Sequence, residues 1–331
     1  MKNMYLIIVL VLTMSFLLIP LIATEQAQGD TSAYDGTSFL GDKTNTDNLK
    51  LEDLKEIRLY LTDKETVIKL SKEEYILGVV AAEMSAENNQ EALSAQALAA
   101  YTFAYRKHIQ NKKTNNEYDL TNDFTLDQRY INEEERRTKW GEKFSQNEEK
   151  LKKAVKAVSN QLIVYNGEPI LATYHAISSG KTETSKNVWG TDYPYLQSVN
   201  SVGDLLCADF YSELELSADD FIKKITELGV EVKGEADNII GECKKSPSGT
   251  VLNIELCGKS FTGAQIREAF DLRSSAFDII FKNNSFIFTV SGYGHGVGMS
   301  QFGANYMAQQ GSDYKEIIST YYKGVDIVTL K

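Results

Sequence analysis

The sequence has 331 residues, 42% of them hydrophobic, enough to bury a core in one large domain or two. A formal net charge of −11 argues against a nucleic-acid partner, because phosphate binding needs a basic surface, and it gives no electrostatic help toward an anionic polymer. Three cysteines, Cys207, Cys243 and Cys257, leave at least one thiol unpaired within the chain.

At the N-terminus Lys2 precedes an apolar run, Met4 to Ala23, whose twenty residues match the hydrocarbon thickness of a bilayer. A cleaved signal peptide has a shorter apolar core and a small-residue cleavage site, for which only Ala27-Gln28-Gly29 is a weak match. The run is therefore read as one uncleaved transmembrane helix. That gives a cytoplasmic tip over 1–3, the anchor over 4–23 and a C-terminal domain outside the cytoplasm, an orientation favoured by Lys2 and the acidic residues beyond. Residues 24–50 are polar and aperiodic and read as a flexible linker; 51–331 reads as the folded domain.

Ile57–Leu61 and Thr66–Leu70 predict a hairpin about Thr62-Asp63-Lys64. Ser71 with Glu74 three residues on predicts a capping box at a helix start. On that helix Ile76, Val79, Val80 and Glu83 fall on one face. A carboxylate sharing an apolar stripe is desolvated, which favours its protonated form, and a carboxyl protonated near neutral pH is a general acid. The plainer reading is a rim residue at a helix end. The next helix, over Glu91–His108, has a face of Ala92, Ala95, Ala99 and Ala100 that lets another helix come close. Gln96 sits on that face, and its amide is read either as holding Glu83 or a substrate hydroxyl, or as bonded to a loop backbone.

Asn111–Trp140 is polar and has neither Cys nor His, so no zinc site of the usual kind is expected there; its charge run Glu133–Arg137 reads as a solvated helix face. An amphipathic helix over Asn147–Ser159 leads to a strand at Leu162–Tyr165. Ile170–Ala176 alternates like a strand, and Ser178–Thr182 is a turn. There His175, Ser179 and Lys181 are read either as orienting a polar ligand or as a structural histidine beside a turn. A Ser/His hydrolase using Ser178 or Ser179 with His175 lacks a GxSxG elbow and an identifiable acidic partner.

A helix over Ser217–Leu228 is followed by a hairpin, Glu242–Cys257, turning on Ser246-Pro247-Ser248-Gly249, in which Cys243 faces Leu252 and a bridge to Cys257 is disfavoured; free buried thiols are expected. Thr262 caps a helix over Ala264–Phe270, and Phe277–Lys282 with Ser285–Ser291 predicts a hairpin about Asn283-Asn284. Ser291–Ala304 carries glycines at 292, 294, 296, 298 and 303 around His295. Glycine permits positive φ and close approach, so the loop is read either as presenting His295 and backbone amides to a ligand or as a rigid turn. The helix that starts near Ser300 offers free amides to an oxyanion or sugar oxygen. Helices over Ser300–Gln310 and Tyr314–Tyr322 and a strand at Val325–Leu330 complete the chain. Without a βαβ rhythm, the expectation is an α+β fold: mixed helices and short antiparallel strands around a substrate groove.

The stretches EEYILGVVAAEMSAENNQEALSAQALAAYTFA, YHAISSGKTETSKNVWGTDYPYL, FTGAQIREAFDLRS and GYGHGVGMSQFGANYMAQQG, in this order, closely resemble the stage II sporulation protein D family, which includes amidase-enhancer-like proteins, over roughly residues 55–331. The resemblance implies a lytic transglycosylase in the mother-cell membrane, acting in forespore engulfment on peptidoglycan glycan strands stripped of stem peptides. It implies stage II sporulation protein P (an amidase) and stage II sporulation protein M as partners, and no cofactor. The family's catalytic Glu falls on Glu83 of Glu83-Met84, and Gln96, His175, Ser179, Lys181, His295 and Gln301 become the expected substrate-binding set, with no metal. A non-catalytic glycan-binding enhancer of an amidase is the alternative. Two features depart from the family: Tyr101 stands where an Arg is frequent, and the Cys/His zinc cluster of some members has no ligands in Asn111–Gly141.

Overall fold

The computed structural model describes residues 51–330; the expected tip, anchor and linker lie outside the described residues. Among the described residues no helix is long and apolar enough to cross a membrane.

β1 (Glu56–Leu61) and β2 (Thr66–Ser71) form the expected antiparallel hairpin. It feeds α1 (Lys72–Glu83), whose N-cap Ser71 accepts from the Glu74 amide. Only this half of the box forms, because the Glu74 carboxylate goes instead to Arg136 Nη2, 2.9 Å away. The apolar stripe expected on α1 is also wider than the pattern implied: Tyr75 through Ala81 are all buried, so the helix is enclosed on nearly every side. α2 (Gln90–Lys113) is capped by Asn89 and buries Ala92, Ala95, Ala99 and Ala100 completely. Small side chains there let α1 and its neighbours pack tightly against it.

The polar stretch after α2 is built into the domain. β3 (Leu120–Thr121) adds to β1 in parallel, and α3 (Glu133–Trp140) follows. The charge run expected to be a solvated face includes Arg136, which is fully buried and bonds Glu148 at 3.0 Å as well as Glu74. A guanidinium is tolerable there only because both carboxylates meet it. Glu148 lies on α4 (Phe144–Val158). β4 (Gln161–Tyr165) and β5 (Glu168–Pro169) come next. Ile170–Ala176, expected as one strand, forms only the two-residue β6 (Tyr174–His175); Ile170, Leu171 and Ala172 are all buried, so no polar face alternates with the apolar one. α5 (Ser185–Trp189) follows the Ser178–Thr182 turn.

From Tyr211 the chain builds a second core. β7 (Tyr211–Ser217) leads to α6 (Ala218–Glu227), then β8 (Ile240–Lys245), β9 (Val251–Leu256), β10 (Lys259–Phe261), α7 (Gly263–Phe270), β11 (Phe277–Lys282) and β12 (Ser285–Ser291). Two three-stranded sheets, β11-β12-β7 and β10-β9-β8, enclose Phe221, Phe270, Phe277, Phe286 and Phe288, with the Phe221 and Phe286 rings stacked at 3.8 Å. Asn283 and Asn284 both take positive φ, the conformation that a two-residue hairpin turn needs. In the other hairpin Cys243 pairs with Ile254, not Leu252, because irregularities on both sides of Cys243-Lys244 shift the register. All three cysteines are free; Cys243 is exposed and the others half-buried, not buried as expected.

The chain then returns to the first core through β13 (Met299–Ser300), α8 (Gln301–Gln309), α9 (Tyr314–Tyr321) and β14 (Asp326–Thr329), which pairs antiparallel with β4. Val297, Met299, Ala304, Ile317, Ile318 and Tyr322 bury against the residues of α1 and α2. The result is a mixture of helices and short strands. The strand pairings are mostly antiparallel, but β1–β3 and β6–β13 are parallel because sequence-distant segments meet there side by side.

Candidate active site

Glu83 is the last residue of α1 and is half-buried. It borders a cleft of about 730 Å³ that is also lined by Gln128, Arg129, Tyr174, His175, Tyr293, His295 and Gln301. Its Oε1 accepts the Arg129 amide at 3.1 Å. Burial pushes its carboxyl above the ordinary value. The Arg129 amide, the Gln301 side chain and the charges of Arg129 and Lys139 pull the other way. The net direction favours a protonated carboxyl, and the amide contact holds it in place.

Behind Glu83 stands a set of amides. Gln96, on α2, is fully buried; its Oε1 accepts from Gln301 Nε2 at 3.4 Å, and its own Nε2 has no partner. Gln128 donates to Tyr75 Oη at 3.1 Å and to the Ala100 carbonyl at 3.2 Å, and accepts from Tyr174 Oη at 2.9 Å. Gln96 and Gln301 therefore meet as a pair beside the acid.

Both histidines reach the cleft through the glycine loop. Gly292, Gly294, Gly296 and Gly298 all take positive φ, and a Cβ on Gly298 would lie 2.1 Å from the Thr173 carbonyl, so this loop closes on β6 only with glycine. His175 Nδ1 donates to the Val297 carbonyl at 3.2 Å, which leaves Nε2 as a bare acceptor, buried and without a partner. Burial pulls its pKa down to about 4. His295 Nδ1 accepts the Val297 amide at 3.1 Å. Its ring lies 5.8 Å from that of His175 and 5.3 Å from that of Trp189. Burial, then the neighbouring His175 and Arg267, lower its pKa to about 3. Both imidazoles are neutral near pH 7: His175 Nε2 is left to accept a sugar hydroxyl, His295 keeps its proton on Nε2 as a hydrogen-bond donor, and proton donation is left to Glu83.

Ser179 and Lys181 stand apart from this group and do not line the cleft. Ser179 Oγ donates to the Ser248 carbonyl at 2.5 Å. Ser178 Oγ donates to Asp204 at 2.5 Å while His175 is turned to Val297, so no Ser–His–acid relay is assembled. The helix start at Ser300 is also closed: the Phe302 amide goes to the Ala176 carbonyl and the Gly303 amide to Ser300 Oγ. The expected oxyanion site there is corrected on that ground. Tyr101, at the position where the family often has Arg, donates to Asp53 at 2.7 Å, and Asp53 also meets Lys72. Among the described residues no group of three or more His, Cys, Asp or Glu is placed to hold a metal ion.

Sequence reasoning missed Gln128, Arg129, Arg267, Arg273 and Tyr293. The first two lie in a polar stretch without periodicity, where nothing local marks them. Arg267 and Arg273 do lie inside FTGAQIREAFDLRS, and that was the available signal.

A family profile described as "SpoIID: Stage II sporulation protein" matches residues 60–165. The stage II sporulation protein D of Bacillus amyloliquefaciens is 36% identical over 272 residues, covering 82% of this chain and 78% of that protein. That of Bacillus subtilis is 35% identical over 274 residues, with the same coverage. An amidase enhancer of Bacillus subtilis is 25% identical over 302 residues, 76% of this chain but 40% of its own length.

Proposed function

The chain belongs to the stage II sporulation protein D family, and from that footing we propose that it is a lytic transglycosylase cutting peptide-stripped peptidoglycan glycan strands during forespore engulfment. The observation that carries this reading is Glu83: a carboxyl raised by burial, held by a backbone amide, at the edge of a cleft that also carries two neutral histidines. The relative named amidase enhancer supports a cell-wall setting.

The chemistry needs one acid. Hydrolytic glycosidases commonly use two carboxylates, the second to activate water or attack the sugar. Of the other carboxylates bordering this cleft, Asp127 is bound to Lys107 at 2.8 Å and to the Thr121 amide, and Asp271 sits exposed at the end of α7. In lytic transglycosylation the glycan supplies the nucleophile. Glu83 gives its proton to the glycosidic oxygen as the bond from muramic-acid C1 to that oxygen breaks. The resulting carboxylate takes the proton from the C6 hydroxyl of the same sugar as that oxygen bonds to C1, leaving a 1,6-anhydro end and a restored Glu83. No water is consumed. Gln96, Gln301, His175 and His295 would position sugar hydroxyls. The domain would be carried outside the mother-cell membrane by the N-terminal anchor, with stage II sporulation proteins P and M as partners. An amidase would supply the stripped strands.

The test is mass spectrometry of the products from peptide-free strands, for the purified chain and for Glu83→Gln. The expected result is anhydro ends from the first and almost none from the second. Equal release by both would overturn the role of Glu83. No products from either, with a faster partner amidase, would favour the enhancer reading that the similarity to the amidase enhancer raises.

A further inference from the structure

Arg129, Arg267 and Arg273 border the cleft, in a chain of formal charge −11. Elsewhere in the fold arginines find carboxylates: Arg58 meets Asp119, and Arg136 meets Glu74 and Glu148. Arg267 and Arg273, both half-buried, make no ion pair among the described residues. Arg267 Nε donates to the Leu272 carbonyl at 3.2 Å, which fixes the guanidinium and leaves its two terminal nitrogens unbonded. The Arg273 guanidinium lies 4.6 Å from the centre of the Tyr293 ring, and its buried Nε has no partner. The Arg273 backbone is tied to the glycine loop, its carbonyl accepting the Gly294 amide at 2.9 Å beside His295. Two oriented, partly desolvated guanidinium groups thus border the same cleft as Glu83 with no carboxylate bonded to either, the exposed Asp271 reaching Arg267 only through its longer-range field, an arrangement that matches a planar anion.

We propose that Arg267 and Arg273 form a carboxylate subsite that reads the free lactyl carboxylate of muramic acid. The polymer's identity rests on the function proposed above; the presence of an anion site does not. In intact peptidoglycan this carboxyl is amide-linked to the stem peptide and carries no charge. Removing the peptide exposes a carboxylate on every second sugar. An amide at that position would leave both half-buried guanidinium groups without a directly bonded carboxylate, so the subsite selects stripped strands. Because the alternate sugar has no lactyl group, the same contact sets the register of the strand in the cleft.

The experiment is a binding titration with the full chain carrying Glu83→Gln, so that no ligand is consumed. The ligands are a peptide-free glycan tetrasaccharide and the same molecule with its lactyl carboxyls converted to primary amides. The expected result is about tenfold or more weaker binding of the amide. That preference should vanish in the Arg267→Gln, Arg273→Gln double variant and persist in part in Arg273→Lys. The ratio of the two affinities is the readout, so a general loss of folded protein cancels. Equal affinity for acid and amide overturns the proposal, as does a preference that survives the double substitution. Tighter binding of a glycerol-phosphate oligomer than of the acid would also overturn it, in favour of a phosphate polymer. Cleavage of stripped strands without acid–amide discrimination removes this subsite and leaves the transglycosylase standing; discrimination without any cleavage by the unsubstituted chain does the reverse.

Discussion

The core around Glu83 and the phenylalanine core between Tyr211 and Ser291 differ in how far apart in sequence their partners lie. In the second, the β11–β12 hairpin turns on two asparagines and its strands meet directly, while β7 and α6 close over the same rings. In the first, α1 packs on α2 and α4, and the returning segment from Val297 to Tyr322 joins the same core against α2. Arg129 and Gln301 reach Glu83 from 46 and over 200 positions away. The core closed within Tyr211–Ser291 is a scaffold; the one drawn from both ends of the described chain brings the chemistry together. The arginines of the proposed subsite come from the scaffold side, and the acid from the other.

That division predicts which changes cost rate and which cost stability. The largest effect on rate falls on Glu83→Gln. Removing a general acid should lower formation of anhydro ends by about a hundredfold to ten-thousandfold. Melting should stay near that of the parent, since the amide keeps the shape; a comparable collapse in melting would make Glu83 a structural residue and erase the contrast. Phe221→Ala, in the scaffold, should cost about 3–5 kcal/mol of stability by denaturant titration while the folded fraction still cleaves. Arg136→Met leaves the buried Glu148 with only the exposed Lys152, 3.3 Å away, and should cost about 3 kcal/mol. Its measured loss tests whether the charge cluster read as a solvated face belongs to the core.

The next effect is pH-dependent. His175 titrates at about 4 when folded, below the ordinary 6.5. Between those values the unfolded chain binds more protons, so stability falls as pH drops from about 6.5 to about 4, by up to ~3 kcal/mol. His295, lowered to about 3, adds a slope of the same sign, so His175→Gln should lessen the fall by about half and leave the remainder. The smallest effect is expected for Ser179→Ala: about 1 kcal/mol of stability from the lost bond to Ser248, with activity changed less than about twofold. A large activity loss there would return Ser179 to the substrate-binding set.

The same contrast accounts for what the sequence disclosed. Asn283-Asn284 and the Thr262 cap act within a few residues, so Phe277–Lys282 and Ser285–Ser291 were legible to their ends. Glu83 was legible because helical spacing placed it with Ile76, Val79 and Val80, all of which are buried. Arg136, Gln128 and the Arg129 amide were not, since their partners lie on other elements and nothing in the polar stretch around them repeats. Ile170–Ala176 misled because a buried coil is as apolar as a strand. His175 and His295 were picked out separately, but only the closure of Gly298 on Thr173 brings them together.

The most direct test of a solitary acid with an internal nucleophile is to cut peptide-free strands with the unsubstituted chain in water enriched in heavy oxygen and to weigh the new muramic-acid ends. This account predicts anhydro ends that contain no heavy oxygen. One heavy oxygen atom incorporated per cut would show water as the nucleophile and contradict it.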